Sequence, residues 1–318
     1  MPIISFKERT KNAEILMNNF KDLNKINCPY IYKNKVKILN NIYLTKKISD
    51  DNNNNNEEIY EAIIKINNNK YKVACSLGST SKPLYFYFPN MNICIHFPIF
   101  YAELKCNLFN FVKNEKETNI KYYPQIIQNM YYKEKKIIPK IHPDDLFGHY
   151  MHNLLIFSFI NLNNNKRNLN DFLNKSNITK KAIFNSLAQI YLSLFFTFNI
   201  KDNDGLKNCN PSIFLYEKII KEGYYHYIIY EKDYYLPNLG FLFTINKFNR
   251  FPSKNTRNDN LISISKSFNI PFKNELNECF RIENKIEMIK SVLFILEKNK
   301  ILLSEIPKNS KILHTCIL

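Results

Sequence analysis

The stretch YYHYIIYEKDYYLPNLGFLFTINKFNR, residues 224–250, constrains the fold most. It supplies an aromatic strand, a turn at Glu231-Lys232-Asp233, and a loop through Tyr235, Pro237 and Gly240. An apolar strand rich in Phe, Leu and Ile follows, and it runs into Lys247-Phe248-Asn249-Arg250. The 318 residues suffice for one two-lobed domain or two small ones, and a hydrophobic content of 45% makes a sizeable core available. Glycine is scarce (5 residues) and Trp is absent, whereas Asn, Lys, Ile and Tyr abound. AT-rich coding produces that bias. The net charge of +17 suits an acidic partner such as nucleic acid, an anionic membrane or an acidic protein, although AT-rich coding by itself inflates Lys.

The 7 cysteines, among them Cys28, Cys75, Cys94, Cys106 and Cys316, are scattered and form no CxxC pair. This pattern predicts reduced thiols rather than a disulfide framework or a zinc site. The N-terminal MPIISFKERTKNAE carries charges where a signal peptide needs an apolar run. No apolar stretch reaches the roughly 18 residues that a bilayer span requires. The expectation is an intracellular protein without a membrane span.

Along the chain, AEILMNNFKDL reads as an amphipathic helix, and SDDNNNNNEE as a low-complexity loop between strands. The strand run IYEAIIKINNNKYKVACSL contains its own turn, because Asn tolerates positive φ. After ICIHFPIFYAELKC, another strand pair or a strand and loop, comes a Tyr- and Lys-rich segment over residues 113–141. A buried strand over residues 154–160 precedes a polar joint and a short helix, NLNDFLNK. The clearest helix spans residues 179–197. Its stripe is Ile183, Leu187, Ile190 and Leu194, and Ser176 or Thr179 can cap it. A final amphipathic helix is expected through NELNECFRIENKIEMIKSVLFILEKNK.

The order is strands, strand-joint-helix, long helix, polar loop, paired strands and helices. Together with three segments it resembles the protein kinases of large nucleocytoplasmic DNA viruses with AT-rich genomes. The segments are the ribbon of residues 224–250, HFPIFYAELKCN (96–107) and LLIFSFINLNNNKRNLNDFL (154–173). The resemblance covers roughly residues 40–250 and implies an α+β, two-lobed protein-kinase-like fold. That fold has an antiparallel N-lobe sheet and a mainly helical C-lobe. The implied boundaries are an N-terminal extension over 1–40, an N-lobe over 41–153 and a C-lobe over 154–318.

The motifs that carry phosphoryl transfer are degraded throughout. No glycine lies between residues 42 and 73, where a phosphate-covering loop would need them. The third strand of a kinase ends in Val-Ala-x-Lys; here Val73-Ala74-Cys75-Ser76 puts Ser76 in place of the lysine. No acidic residue between Ser76 and His96 can orient such a lysine. In the catalytic loop Asp204 can be aligned with the base, but Asn210 then stands one place late for the metal-binding asparagine. Aligning back from SIFL puts Lys207 and Ser212 at those positions. Either register breaks the motif, so Asp202 and Asp204 read more simply as turn residues around Gly205. Lys247, Phe248 and Asn249 replace Asp-Phe-Gly, and the Lys247 ammonium would compete with Mg²⁺ for its niche.

The expectation is therefore an inactive pseudokinase without a cofactor, acting as a scaffold, regulator or virion component. Its partner would be a viral or host protein, an active kinase among the candidates. The resemblance places it in host cytoplasm, viral factory or virion. The alternative is a basic nucleic-acid-associated structural protein. Its candidate contacts interleave in residues 119–140: Lys121, Tyr122, Tyr123, Tyr131, Tyr132, Lys133, Lys135 and Lys136. An active serine/threonine kinase with displaced residues is the third reading. His149 and His152 at i, i+3 lack a third metal ligand at a recognisable spacing.

Overall fold

The computed structural model describes residues 5–21, 28–48, 57–79, 94–97, 99–145, 154–161, 167–198, 211–245 and 256–318. The protein is a mixed α+β chain with two compact units. One comprises Asn12–Pro83 and Ile99–Leu162; the other comprises Met1–Lys11, Leu84–Pro98 and Asn163–Leu318.

The first unit is built on a seven-stranded antiparallel sheet. Its strands are β1 (Tyr30–Tyr32), β2 (Lys35–Leu39), β3 (Ile42–Lys47), β4 (Glu57–Ile66), β5 (Asn69–Ser79), β6 (Phe100–Asn107) and β7 (Leu154–Asn161). The order is β1-β2-β3-β4-β5-β7-β6, so the strand expected over residues 154–160 inserts between β5 and β6. Two hairpins turn through residue pairs with positive φ. These are Lys33-Asn34 and Asn67-Asn68, the latter within the NNNK turn anticipated from sequence.

Alternation puts Ile38, Ile42, Ile64, Val73, Cys75, Leu77, Phe157 and Phe159 on one buried face. Helices cover that face. They are α1 (Phe6–Lys21), whose Leu16 and Phe20 belong to this core, α2 (Leu108–Asn114), α3 (Glu117–Ile120) and α4 (Gln125–Ile137). The Phe20 ring lies 5.1 Å from Phe159. A disulfide joins Cys28 to Cys106, which corrects the expectation of seven reduced thiols. The two cysteines are 78 residues apart, and only the folded sheet brings their Cα atoms to 4.6 Å.

The second unit is organised around a long helix. Helix α5 (Leu169–Leu173) starts in a capping box formed by Asn168 and Asp171. Helix α6 (Lys180–Phe198) follows, and Thr179 takes the cap, accepting from the Ala182 amide at 3.2 Å. Leu187, Ala188, Ile190, Tyr191, Leu192, Leu194 and Phe195 are all buried, so the middle of α6 is enclosed on every side, while Lys180 and Lys181 at its start are exposed. Of the strands β8 (Phe214–Lys218), β9 (Tyr224–Ile229), β10 (Lys232–Pro237) and β11 (Phe241–Ile245), β11 pairs with β8 in a separate two-stranded sheet, and β9 and β10 pair as the hairpin of the ribbon read from the sequence. Its hairpin turns at Tyr230-Glu231, both with positive φ, one residue earlier than expected.

Gln189 fastens α6 to β11. Its amide donates to the Phe241 carbonyl at 3.0 Å, and its oxygen accepts from the Phe243 amide at 2.9 Å. The Tyr-x-Pro-x-x-Gly turn is held by Asn238, which donates to the Ile220 and Glu222 carbonyls and accepts from Gly240 N–H. Gly240 sits at φ +90°, a conformation that side chains disfavour.

Helix α7 (Thr256–Lys266) comes next. The final helix expected as one piece is two, α8 (Lys273–Cys279) and α9 (Lys285–Lys298). The break has a local cause: the Asn284 side chain accepts from the Ile286 and Glu287 amides and starts a new helix. The chain then adds β12 (Ile312–Ile317), parallel to β9, in a sheet ordered β10-β9-β12.

Candidate functional site

Ser76, which the sequence resemblance aligns with the kinase lysine, lies inside β5 and is buried. It stands opposite Ile59 of β4 and Ser158 of β7, and Ser158 stands opposite Glu103 of β6. Because side chains alternate along a strand, Ser76, Ser158 and Glu103 share the face away from Cys75, Leu77 and Phe157. They form a polar row across three adjacent strands. Burial pushes the Glu103 carboxyl above the usual carboxylate range, and the hydrogen bond and charge of Lys105, 3.2 Å away, only partly offset it. Lys72, the other lysine near this position on β5, lies 3.5 Å from the Glu61 carboxylate. Glu61 also accepts from the Thr45 hydroxyl at 3.0 Å.

The remaining kinase-motif positions, Asp204, Asn210, Lys247, Phe248 and Asn249, lie outside the described residues, as do His149 and His152. The strand that leads to Lys247 is present as β11.

The segment proposed from sequence to contact nucleic acid divides into two sets. Tyr123 and Tyr131 are core residues, which corrects their assignment as stacking rings. Tyr123 donates to Glu115 and packs edge-on against Phe111, 5.2 Å between centroids; Tyr131 packs edge-on against the same ring at 6.1 Å. The physical reason is the helical period. Ile127 and Tyr131 fall four residues apart on the stripe of α4 that faces the sheet. Tyr122, Tyr132, Lys121, Lys133, Lys135 and Lys136 are exposed. Lys135 is engaged by Glu117 at 2.6 Å, and Lys121 lies over the Tyr122 ring at 5.1 Å.

The second unit contains a buried polar cluster that the sequence did not advertise. His96 is fully enclosed: Nδ1 donates to the Phe243 carbonyl at 2.8 Å, and Nε2 accepts from the Tyr227 hydroxyl at 2.6 Å. The carbonyl can only accept, so this pair of contacts fixes the tautomer with the proton on Nδ1. Burial lowers the His96 pKa to about 3, against the hydrogen bond to Phe243, so the ring is neutral at physiological pH.

Beside it, Cys94 and Cys316 are in side-chain hydrogen-bond contact. Burial opposes ionisation of both thiols. The hydrogen bonds that Cys316 makes with Cys94 and His314 favour its thiolate, so Cys94 keeps its proton. Arg9 places Nε 2.8 Å from a Glu217 carboxylate oxygen in the same unit. Burial of this kind inside one unit fits a structural clamp that ties the 94–97 turn to β9, β11 and β12.

Among the described residues, no group of three His, Cys, Asp or Glu side chains converges to hold a metal ion. No helix among them is long and apolar enough to cross a membrane. Comparison with known proteins gives no match, either to a family model or to a curated protein.

Proposed function

We propose that this chain is a catalytically inactive, kinase-like protein that works through its surfaces as a protein-binding scaffold or regulator. The observation that carries the reading is Ser76. A phosphate-clamping lysine at that point would need to extend from mid-strand toward a nucleotide. The side chain there is instead a short, buried hydroxyl in a row with Ser158 and Glu103. The two lysines nearest the row, Lys72 and Lys105, are each within ion-pair distance of a carboxylate on their own face. The degraded Asp-Phe-Gly and catalytic-loop positions of the sequence support the same conclusion.

Nucleotide binding tests it. A ligand that binds only the folded state stabilises it by RT ln(1 + L/Kd) at free ligand concentration L, which keeps rising with L. Millimolar Mg²⁺-ATP is expected to leave the thermal midpoint unchanged. A dose-dependent rise that disappears when Mg²⁺ is chelated would contradict the proposal.

A further inference from the structure

The outer strands of the seven-stranded sheet carry a surface that neither the kinase resemblance nor the 119–140 segment accounts for. Residues 30–48 contain five lysines and no Asp or Glu. The core-facing side chains of this stretch are Val36, Ile38, Ile42 and Leu44, so alternation turns Lys35, Lys37 and Tyr43 to the other face. Two tyrosine rings there are each flanked by two ammonium groups. Lys33 and Lys37 lie 5.4 and 4.5 Å from the Tyr32 ring centroid. Lys35 and Lys65 lie 5.5 and 5.6 Å from that of Tyr43. Tyr32 is 49% exposed, a large fraction for an aromatic ring. Its neighbour in register is Lys35, and that of Tyr43 is Lys37. The two positions are thus two strands apart and two residues offset along the strands, about 12 Å from backbone to backbone.

None of these four lysines makes an ion pair among the described residues; their ammoniums rest over rings, and that of Lys37 also donates to the Asn40 carbonyl at 3.4 Å. The contrast with neighbouring lysines is informative. Lys47 is held by Glu58 at 2.8 Å and Lys72 by Glu61. Carboxylates are therefore present on β4 but do not reach the cations around Tyr32 and Tyr43. A ring with ammoniums over it and no carboxylate to hold them matches a ligand whose base replaces the ammonium at the ring face and whose phosphate takes up the displaced charge. A duplex hides its base faces, and an acidic peptide has no base to stack.

We propose that this sheet face binds single-stranded nucleic acid, with bases stacked on Tyr32 and Tyr43 and phosphates met by Lys33, Lys35, Lys37 and Lys65. The inference is independent of the pseudokinase reading, because none of these side chains belongs to the Ser76 row.

The test uses the full chain and three fluorescein-labelled probes: a 20-nucleotide oligo-dT, a 20-base-pair duplex and polyglutamate. The single strand is expected to bind most tightly. Tyr32→Ala and Tyr43→Ala should each weaken it by about tenfold or more, whereas Tyr32→Phe should retain binding, since stacking needs the ring and not the hydroxyl. Lys35→Ala with Lys65→Ala should reduce the slope of log affinity against log salt by about 1.4, or about 0.7 for each phosphate that the variant no longer neutralises. Tyr32 and the two lysines are exposed, and circular dichroism of each variant checks that the sheet is intact. Three outcomes would overturn the proposal: no binding of the single strand, equal binding of duplex or polyglutamate, or tyrosine variants that bind like the parent.

Discussion

Acid should weaken the second unit through one residue, His96. Its folded pKa of about 3 lies below the 6.5 of an unhindered imidazole, because burial excludes the charged form. The unfolded chain therefore binds a proton that the folded chain refuses between those two values. Stability from this group is fully present above pH 6.5 and is lost as pH falls toward 3. Applying the linkage relation to those two pKa values, the loss between pH 7.5 and pH 5.0 is about 2 kcal/mol. His96→Gln isolates the effect. Glutamine does not titrate, and its amide can donate to the Phe243 carbonyl while its oxygen accepts from Tyr227. The assay is urea unfolding of both proteins at the two pH values, followed by near-UV circular dichroism of the tyrosines. Whatever the variant loses at pH 7.5, the parent should lose about 2 kcal/mol more than the variant on acidification. Equal losses in the two proteins would refute the reasoning, and so would a resonance assigned to the His96 imidazole that titrates near pH 6.5 in the folded protein.

The Cys28–Cys106 disulfide closes a loop with a sequence separation of 78, and its reduction should lower the stability of the first unit by about 4.5 kcal/mol on chain-entropy grounds. Urea titrations with and without dithiothreitol check this, and a Cys28→Ser, Cys106→Ser protein should be indifferent to the reductant. Glu103→Gln should raise the thermal midpoint at pH 7.5, because the raised carboxyl pKa means that ionisation opposes folding. The benefit should shrink as pH falls through the folded pKa and be gone below about 4.5, where both states hold the proton. A variant that gained equally at every pH would assign the effect to packing instead.

Features set by neighbouring residues were legible in the sequence. The Asn67-Asn68 turn, helix α6 with its Thr179 cap, and the strand over residues 154–161 all follow from local chemistry, although α6 is buried around its whole middle rather than along one stripe. The ribbon was legible too, although Tyr230-Glu231 takes a turn conformation that Asn or Gly would adopt at lower cost. Features set by distant partners were not. Nothing near residue 154 shows that β7 inserts between β5 and β6, and nothing near residue 312 shows that the chain returns to lie parallel to β9. The disulfide was misjudged for the same reason.

At the candidate site, Ser76 could be read from Val73-Ala74-Cys75, but its companions Ser158 and Glu103 come from strands far away in sequence. The 119–140 segment misled in a different way. Its tyrosines looked equivalent in composition, and only the 3.6-residue period of α4 separates the buried Tyr131 from the exposed Tyr132. The same alternation argument, applied to residues 30–48, would have exposed the lysine and tyrosine face of β2 and β3 from sequence.

Transfer of γ-phosphate tests the central claim most directly. Removal of a single charge-stabilising group from a phosphoryl-transfer site lowers the rate on the order of a thousandfold, and under the proposed alignment Ser76 and Lys247 remove two. Purified protein incubated with Mg²⁺ and γ-labelled ATP, alone and with basic or acidic protein substrates, is expected to give no labelled product. Asp204→Ala should then be indistinguishable from the parent. Labelled product from the parent that Asp204→Ala abolishes would contradict the account and make Asp204 the catalytic base of an active kinase.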